Sequence, residues 1–241
     1  MRYSYLIAVV FFQNLILLAQ PDSSFFNSYL VLIHENLIQV KNDTGELVFN
    51  KQFSKPYAYQ VDVDADSIDE FIVVDSTFNN GYLNFYIYLF SGFDEFQIID
   101  SIYSGSFFPF ITYSEEIESM VIETGNPSFE IFNQSAEVST LPINIWKLEN
   151  GVILPVNDEL YDPFIFENNN LVQLLDFYTK NLNDCSVSKR YKGIIASAFT
   201  NYFVAGEQSL AYQLLKKYYH CDDIEVFKQQ ILGIIYPEAK Q

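Results

Sequence analysis

The sequence predicts an α+β protein, in which an N-terminal antiparallel β-meander is followed by a small α-helical domain. Residues 28–154 alternate short apolar runs with turns rich in Gly and Asn, a pattern typical of β-strands. After Pro155 the apolar residues are spaced three and four apart, which is typical of amphipathic helices. The 23 Phe and 18 Tyr also favour sheets, because aromatic rings pack well on half-buried strands. We expect three segments, at 1–19, 20–156 and 157–241.

The first nineteen residues resemble a secretory signal peptide. They carry one positive charge, Arg2, and an apolar stretch interrupted by Gln13 and Asn14, with the small residue Ala19 at a plausible cleavage point. An uncleaved membrane anchor is the alternative. The signal predicts a secreted or periplasmic protein that has no membrane span once the signal is removed.

The β region contains twelve candidate strands, separated by turns whose Gly and Asn residues tolerate positive φ. They are 29–34, 37–40, 47–53, 57–61, 71–74, 82–90, 96–103, 108–113, 120–123, 129–132, 143–148 and 152–154.

A weak internal repeat runs through these strands. Residues 29–40 resemble 82–99, and 68–74 line up with 117–123. A repeated four-stranded unit must stack on its neighbours, as propeller blades do. The region is long enough for two to three blades, fewer than a closed propeller needs, so we expect the helices to cover the open edge.

Residues 62–70 contain Asp62, Asp64, Asp66 and Glu70, at loop positions 1, 3, 5 and 9, directly before an apolar run. We call residues 62–70 the acidic loop. Carboxylates two apart in a tight turn point inward, and hard oxygen ligands of this number suit Ca²⁺. The acidic loop therefore predicts a calcium site that ties a β-turn together. A solvated acidic turn without metal is the alternative.

The acidic loop resembles the calcium loops of the FG-GAP and VCBS repeat proteins, an integrin-like β-propeller family. The resemblance is close over residues 57–75 and loose over 28–154. It implies that Asp62, Asp64 and Asp66 donate side-chain oxygens, Ile68 its backbone carbonyl and Glu70 a further carboxylate.

One residue departs from the family pattern, because Ser67 stands where the family has Gly. A left-handed backbone at Ser67 would cost about 1 kcal/mol. Strand alternation turns the side chain of Asp69 away from the loop interior. The second copy, at 111–119, keeps the apolar frame but has lost most ligands, and we predict that it binds nothing.

The C-terminal region contains four predicted helices, at 171–182, 189–203, 208–219 and 224–235, with 168–170 as a linker. Cys185 and Cys221, the only two cysteines, could form a disulfide in an oxidising compartment, and two free buried thiols are the alternative.

The net charge of −18 repels phosphate backbones and argues against nucleic-acid binding. Phosphate-binding loops, nucleophile elbows and zinc-protease motifs do not occur in the sequence. We expect a non-enzymatic binding or structural protein, stabilised by calcium, that contacts a protein partner or a cell-envelope component. A secreted hydrolase, with carboxylates between the β and helical parts, is the alternative.

Overall fold

The computed structural model describes residues 23–79, 81–92, 95–133, 138–179 and 184–237. The predicted signal peptide lies outside the described residues. The predicted α+β class is confirmed, because three antiparallel four-stranded sheets precede a group of helices. None of the described helices is long and apolar enough to cross a membrane.

Each sheet is a meander in which strands that follow one another in the chain pair side by side. Sheet A comprises β1 (Ser23–Phe26), β2 (Tyr29–His34), β3 (Leu37–Lys41) and β4 (Leu47–Gln52). Sheet B comprises β5 (Pro56–Val61), β6 (Glu70–Asn79), β7 (Tyr82–Ser91) and β8 (Gln97–Gly105). Sheet C comprises β9 (Phe110–Ser114), β10 (Ser119–Gly125), β11 (Ile143–Glu149) and β12 (Val152–Pro155).

The helical part follows sheet C. One short 3₁₀ helix, Pro127–Phe132, lies between β10 and β11, and a second, Asn157–Glu159, follows β12. The α-helices are α1 (Asp162–Thr179), α2 (Cys185–Arg190), α3 (Lys192–Val204), α4 (Gln208–Tyr218) and α5 (Ile224–Ile235). Cys185 and Cys221 form a disulfide, so the pairing predicted for them is confirmed.

The order in which the sheets stack is shown by successive residues of one strand, which pack against different neighbouring layers. In β6, Phe71 packs with sheet A side chains, whereas the next residue, Ile72, packs with sheet C. In β10, Ile122 faces sheet B and Val121 faces the other way, in a cluster with Phe164 of α1. Because successive side chains of a strand point to opposite faces, sheet B is buried between its neighbours. The layers therefore run from sheet A to B to C and then to the helices.

Residues 129–132 and 168–170 differ from their sequence-based assignments, and capping explains the first difference. Residues 129–132 belong to a 3₁₀ helix rather than a strand, because Pro127 begins the turn and the Asn126 side chain accepts the Ser128 N–H. The predicted linker 168–170 lies inside α1, where Asn168 is buried and its amide donates to the Ala198 carbonyl at 3.0 Å. Asn168 therefore helps to pack α1 against α3.

The proposed repeat matches the sheets in only one of its two alignments. Residues 68–74 and 117–123 reach into β6 and β10, which are both the second strand of their sheet. Residues 29–40 lie in the second and third strands of sheet A, but 82–99 lie in the third and fourth strands of sheet B. That alignment is therefore shifted by one strand.

A buried carboxylate joins sheets A and B. Asp75, in β6, accepts the Ser54 N–H at 2.9 and 3.1 Å and the Lys55 N–H at 2.8 Å. Ser54 and Lys55 belong to the connection between β4 and β5. Asp75 therefore fixes the point where the chain leaves one sheet and enters the next.

Candidate functional site

The acidic loop joins β5 to β6, the first two strands of sheet B. Its backbone is folded tightly, with Ala65 at φ 61° and Ser67 at φ 72°. The left-handed geometry considered for Ser67 is therefore present, and Ala65 shares it. Both residues carry a Cβ, so this backbone is strained relative to one with Gly at these positions.

Carboxylates hold this strained backbone in place. Asp62 Oδ2 accepts the Ser67 N–H at 3.0 Å, and Glu70 Oε2 accepts the Val63 N–H at 2.8 Å. The second bond joins the start of the loop to its end. Side-chain-to-backbone bonds of this kind are typical of Asp in turns.

Three carboxylates converge within the loop. One oxygen from each of Asp62, Asp64 and Glu70 lies within 4.8 Å of the other two. Asp62 and Asp64 are half-buried, and Glu70 is only 6% exposed. Oxygens this close to one another can contact a single cation.

Two features of the triad fit a cation. Asp62 Oδ1 is buried and has no hydrogen-bond partner among the described residues. Burial raises the pKa of Glu70 to about 7, although the hydrogen bond from the Val63 N–H lowers it. The negative charges of Asp64, Asp66 and Asp62 raise this pKa further. Burial and the charge of Asp66 likewise raise the pKa of Asp64. A bound divalent ion would supply Asp62 Oδ1 with a partner and remove the repulsion.

The other residues of the predicted ligand set, Asp66 and Ile68, do not belong to this triad. Asp66 is exposed and outside the triad, and its Oδ1 accepts the Ile68 N–H at 2.7 Å. Ligand roles for Asp66 and for the Ile68 carbonyl stay predictions. Asp69 is exposed, in accordance with strand alternation.

The acidic loop lines a cleft of about 680 Å³ between sheets B and C. Asp64, Asp66 and Glu70 lie on one side, and residues 147–151 of the β11–β12 hairpin lie on the other. Lys147 is the one cationic side chain among the described residues of this lining, and its Nζ lies 3.9 Å from Glu149 Oε1. No sequence pattern indicates a role for Lys147, because strand pairing and sheet stacking bring it to the same cleft as a loop that lies far away in the chain.

The second copy of the loop has a different arrangement. Its turn joins β9 to β10, and the Glu116 carboxylate accepts the backbone N–H of Tyr161 at 2.9 and 3.1 Å and that of Asp162 at 3.1 Å. Asp162 begins α1, where free N–H groups favour a carboxylate. Glu116 therefore attaches sheet C to the start of the helical part.

A second pair of carboxylates lies between sheet C and α1. Glu123 shares the face of β10 that carries Val121, and Glu167 follows Phe164 by three residues on α1. Burial raises the pKa of Glu123 to about 7, with a further contribution from Glu167. Burial also raises the pKa of Glu167. This pair lies where the hydrolase alternative places its carboxylates.

Glu123 should make stability depend on pH. Its pKa is higher in the folded chain than the ordinary 4.5, so its contribution is present below about pH 4.5 and is lost as the pH rises through 7. We expect the free energy of unfolding in urea to fall by about 2 kcal/mol between pH 5 and 8 through this group. Glu123→Gln should make this fall smaller, and Glu159→Gln, at an exposed position, should leave it unchanged. Identical profiles for Glu123→Gln and wild type would contradict this assignment.

Comparison with known proteins finds no matching family model, no matching curated protein and no matching solved structure.

Proposed function

We propose that the chain is an exported, non-enzymatic binding protein whose acidic loop holds a structural calcium ion. The observation that carries the proposal is the buried Asp62 Oδ1, which has no described hydrogen-bond partner and lies in a triad with Asp64 and Glu70. All three ligands are hard carboxylate oxygens, which Ca²⁺ prefers. The resemblance of the loop to FG-GAP and VCBS calcium loops supports the same ion.

The ion would act on the fold rather than in a reaction. It would hold together a loop with two left-handed residues, Ala65 and Ser67, at the rim of the cleft between sheets B and C. Asp62, Asp64 and Glu70 would contact it directly, with Asp66 and the Ile68 carbonyl completing the predicted set.

Export is supported by the N-terminal apolar stretch and by the Cys185–Cys221 disulfide, since such bonds persist in oxidising compartments. A protein contact surface is supported by the β6–β7 hairpin, where Phe78 and Leu83 pair directly across the strands. They are 77% and 46% exposed. An exposed apolar pair at a hairpin tip is typical of a surface that a partner covers.

Thermal melting tests the calcium proposal. For a dissociation constant of about 0.1 mM, a few millimolar Ca²⁺ should stabilise the folded chain by roughly 2 kcal/mol and raise the melting temperature by about 5 °C. A chelator should reverse the shift, and Asp64→Ala should abolish it. Equal melting temperatures of wild type with Ca²⁺ and with chelator would refute the proposal.

The hydrolase is the second candidate, and the Glu123–Glu167 pair favours it. Burial raises the pKa of Glu123 to about 7, as a general acid requires, and Glu167 is the second carboxylate that such a reaction needs. The cleft between sheets B and C is lined by other described residues. Activity of the wild type on a glycoside panel that is lost in both Glu123→Gln and Glu167→Gln would favour the hydrolase over the binding protein.

A further inference from the structure

A second cleft lies at the far end of β6 from the acidic loop. It has a volume of about 410 Å³ and lies between the ends of β6, β7 and β8 on one side and the 3₁₀ helix Pro127–Phe132 on the other. No described residue lines both clefts. We call this one the tyrosine cleft, after Tyr82 and Tyr103 in its lining.

A hydrogen-bond network at its centre has more acceptors than donors. The Tyr103 hydroxyl lies 2.9 Å from Glu130 Oε1 and 3.0 Å from Asn84 Oδ1. The Asn84 Nδ2 donates to the Tyr82 carbonyl at 3.1 Å. A carbonyl can only accept, so this bond fixes the orientation of the Asn84 amide. Oδ1 must therefore face Tyr103. One hydroxyl proton serves two acceptors, so a ligand that brings its own donors would complete the network.

The Tyr103 hydroxyl is held in its protonated, donating form. Burial raises its pKa, and the hydrogen bond to Glu130 and the charge of that residue add to the rise. The Glu130 carboxylate in turn packs on Gly105, which has φ 60°. A Cβ at Gly105 would lie 2.7 Å from Glu130 Oε1 and 2.6 Å from Leu141 Cδ1. The absence of a side chain at Gly105 therefore leaves room for the Glu130 carboxylate.

The rest of the lining indicates the chemistry of the ligand. Glu130 is the one charged side chain among the described lining residues. The others include amides and hydroxyls, which both donate and accept, and apolar surface from Pro127 and Ile131 beside two tyrosine rings. Sugars match this combination, since their hydroxyl groups donate and accept while their C–H faces pack on rings.

We propose that the tyrosine cleft binds a neutral sugar, with the Asn84–Tyr103–Glu130 network receiving the sugar hydroxyls. Glu130 and Asn84 accept hydrogen bonds from the sugar, and Tyr82 supplies a half-exposed ring at the rim. The site is independent of the calcium proposal, because it shares no residue with the acidic loop.

Saturation-transfer NMR on the full chain tests this site. The probes are glucose, galactose, mannose and N-acetylglucosamine at about 10 mM, each also as a tetrasaccharide, with butylammonium as a cationic probe. At least one sugar should bind the wild type. Its affinity should fall at least tenfold in Glu130→Ala and in Asn84→Ala, since each removes an acceptor of a sugar hydroxyl. It should be unchanged in Tyr113→Phe, an exposed tyrosine of sheet C.

Glu130→Gln separates a sugar from a cation. A hydroxyl group can reverse its hydrogen bond to a glutamine amide, so sugar affinity should stay within about threefold, whereas an ammonium ligand would lose its charge partner. Monosaccharide binding would assign a free sugar, and binding of tetrasaccharides alone would assign a polymer. The proposal is overturned if none of the sugars binds, if Glu130→Ala binds like wild type, or if butylammonium alone binds. Circular dichroism checks that each variant folds, and chelator should leave sugar binding unchanged.

Discussion

Removing the Cys185–Cys221 disulfide should lower the free energy of unfolding by about 4 kcal/mol. The bond closes a loop between residues 36 apart in the chain, and the chain-entropy model gives this value for a loop of that size. It ties the start of α2 to the segment after α4. The same junction is held by Ser188, whose Oγ donates to the Tyr218 carbonyl and accepts the His220 N–H, both at 2.9 Å.

Urea unfolding of the Cys185→Ala/Cys221→Ala variant measures this contribution. If the variant does not fold, wild type treated with a reducing agent gives a second measurement, because its side chains are unchanged. A loss below about 1 kcal/mol in either experiment would show that hydrogen bonds and packing hold this junction without the disulfide.

Asp75→Ala should lower the free energy of unfolding by roughly 3 kcal/mol. The carboxylate is 6% exposed and accepts the backbone N–H groups of Ser54 and Lys55. Truncation would leave both N–H groups without this partner at the junction of sheets A and B, and each bond to a charged acceptor contributes about 1.5–3 kcal/mol.

The control is Asp43→Ala, because Asp43 is an exposed carboxylate in the turn before β4. Its substitution should change the stability by less than about 0.5 kcal/mol. Equal effects of the two substitutions would mean that Asp75 does not hold the two sheets together.

The parts that the sequence predicted are those whose determinants are close together in the chain. The acidic loop has its carboxylates within nine residues, and Ser67 was recognised because its position in the loop requires a left-handed backbone. Period-two and helical spacing likewise located most strands and helices, since each pattern reflects which side chains are buried.

The rest depends on contacts between distant segments. Asn168 belongs to a polar run that is typical of a linker, but it is buried in α1. Its side chain donates a hydrogen bond to the carbonyl of Ala198, which lies thirty residues later in the chain. Lys147 lines the same cleft as the acidic loop only because sheet C stacks on sheet B. Tyr103 and Glu130 are separated by 27 residues, and no motif joins them. Such pairings are set by sheet order, which a single sequence does not encode locally.

Calorimetric titration of metal-stripped protein with Ca²⁺ tests the central claim most directly. We predict one site, absent in Asp64→Ala and retained in Asp69→Ala, because Asp64 belongs to the triad and Asp69 is exposed outside it. No binding by the wild type, or equal binding by wild type and Asp64→Ala, would contradict a calcium ion at the acidic loop.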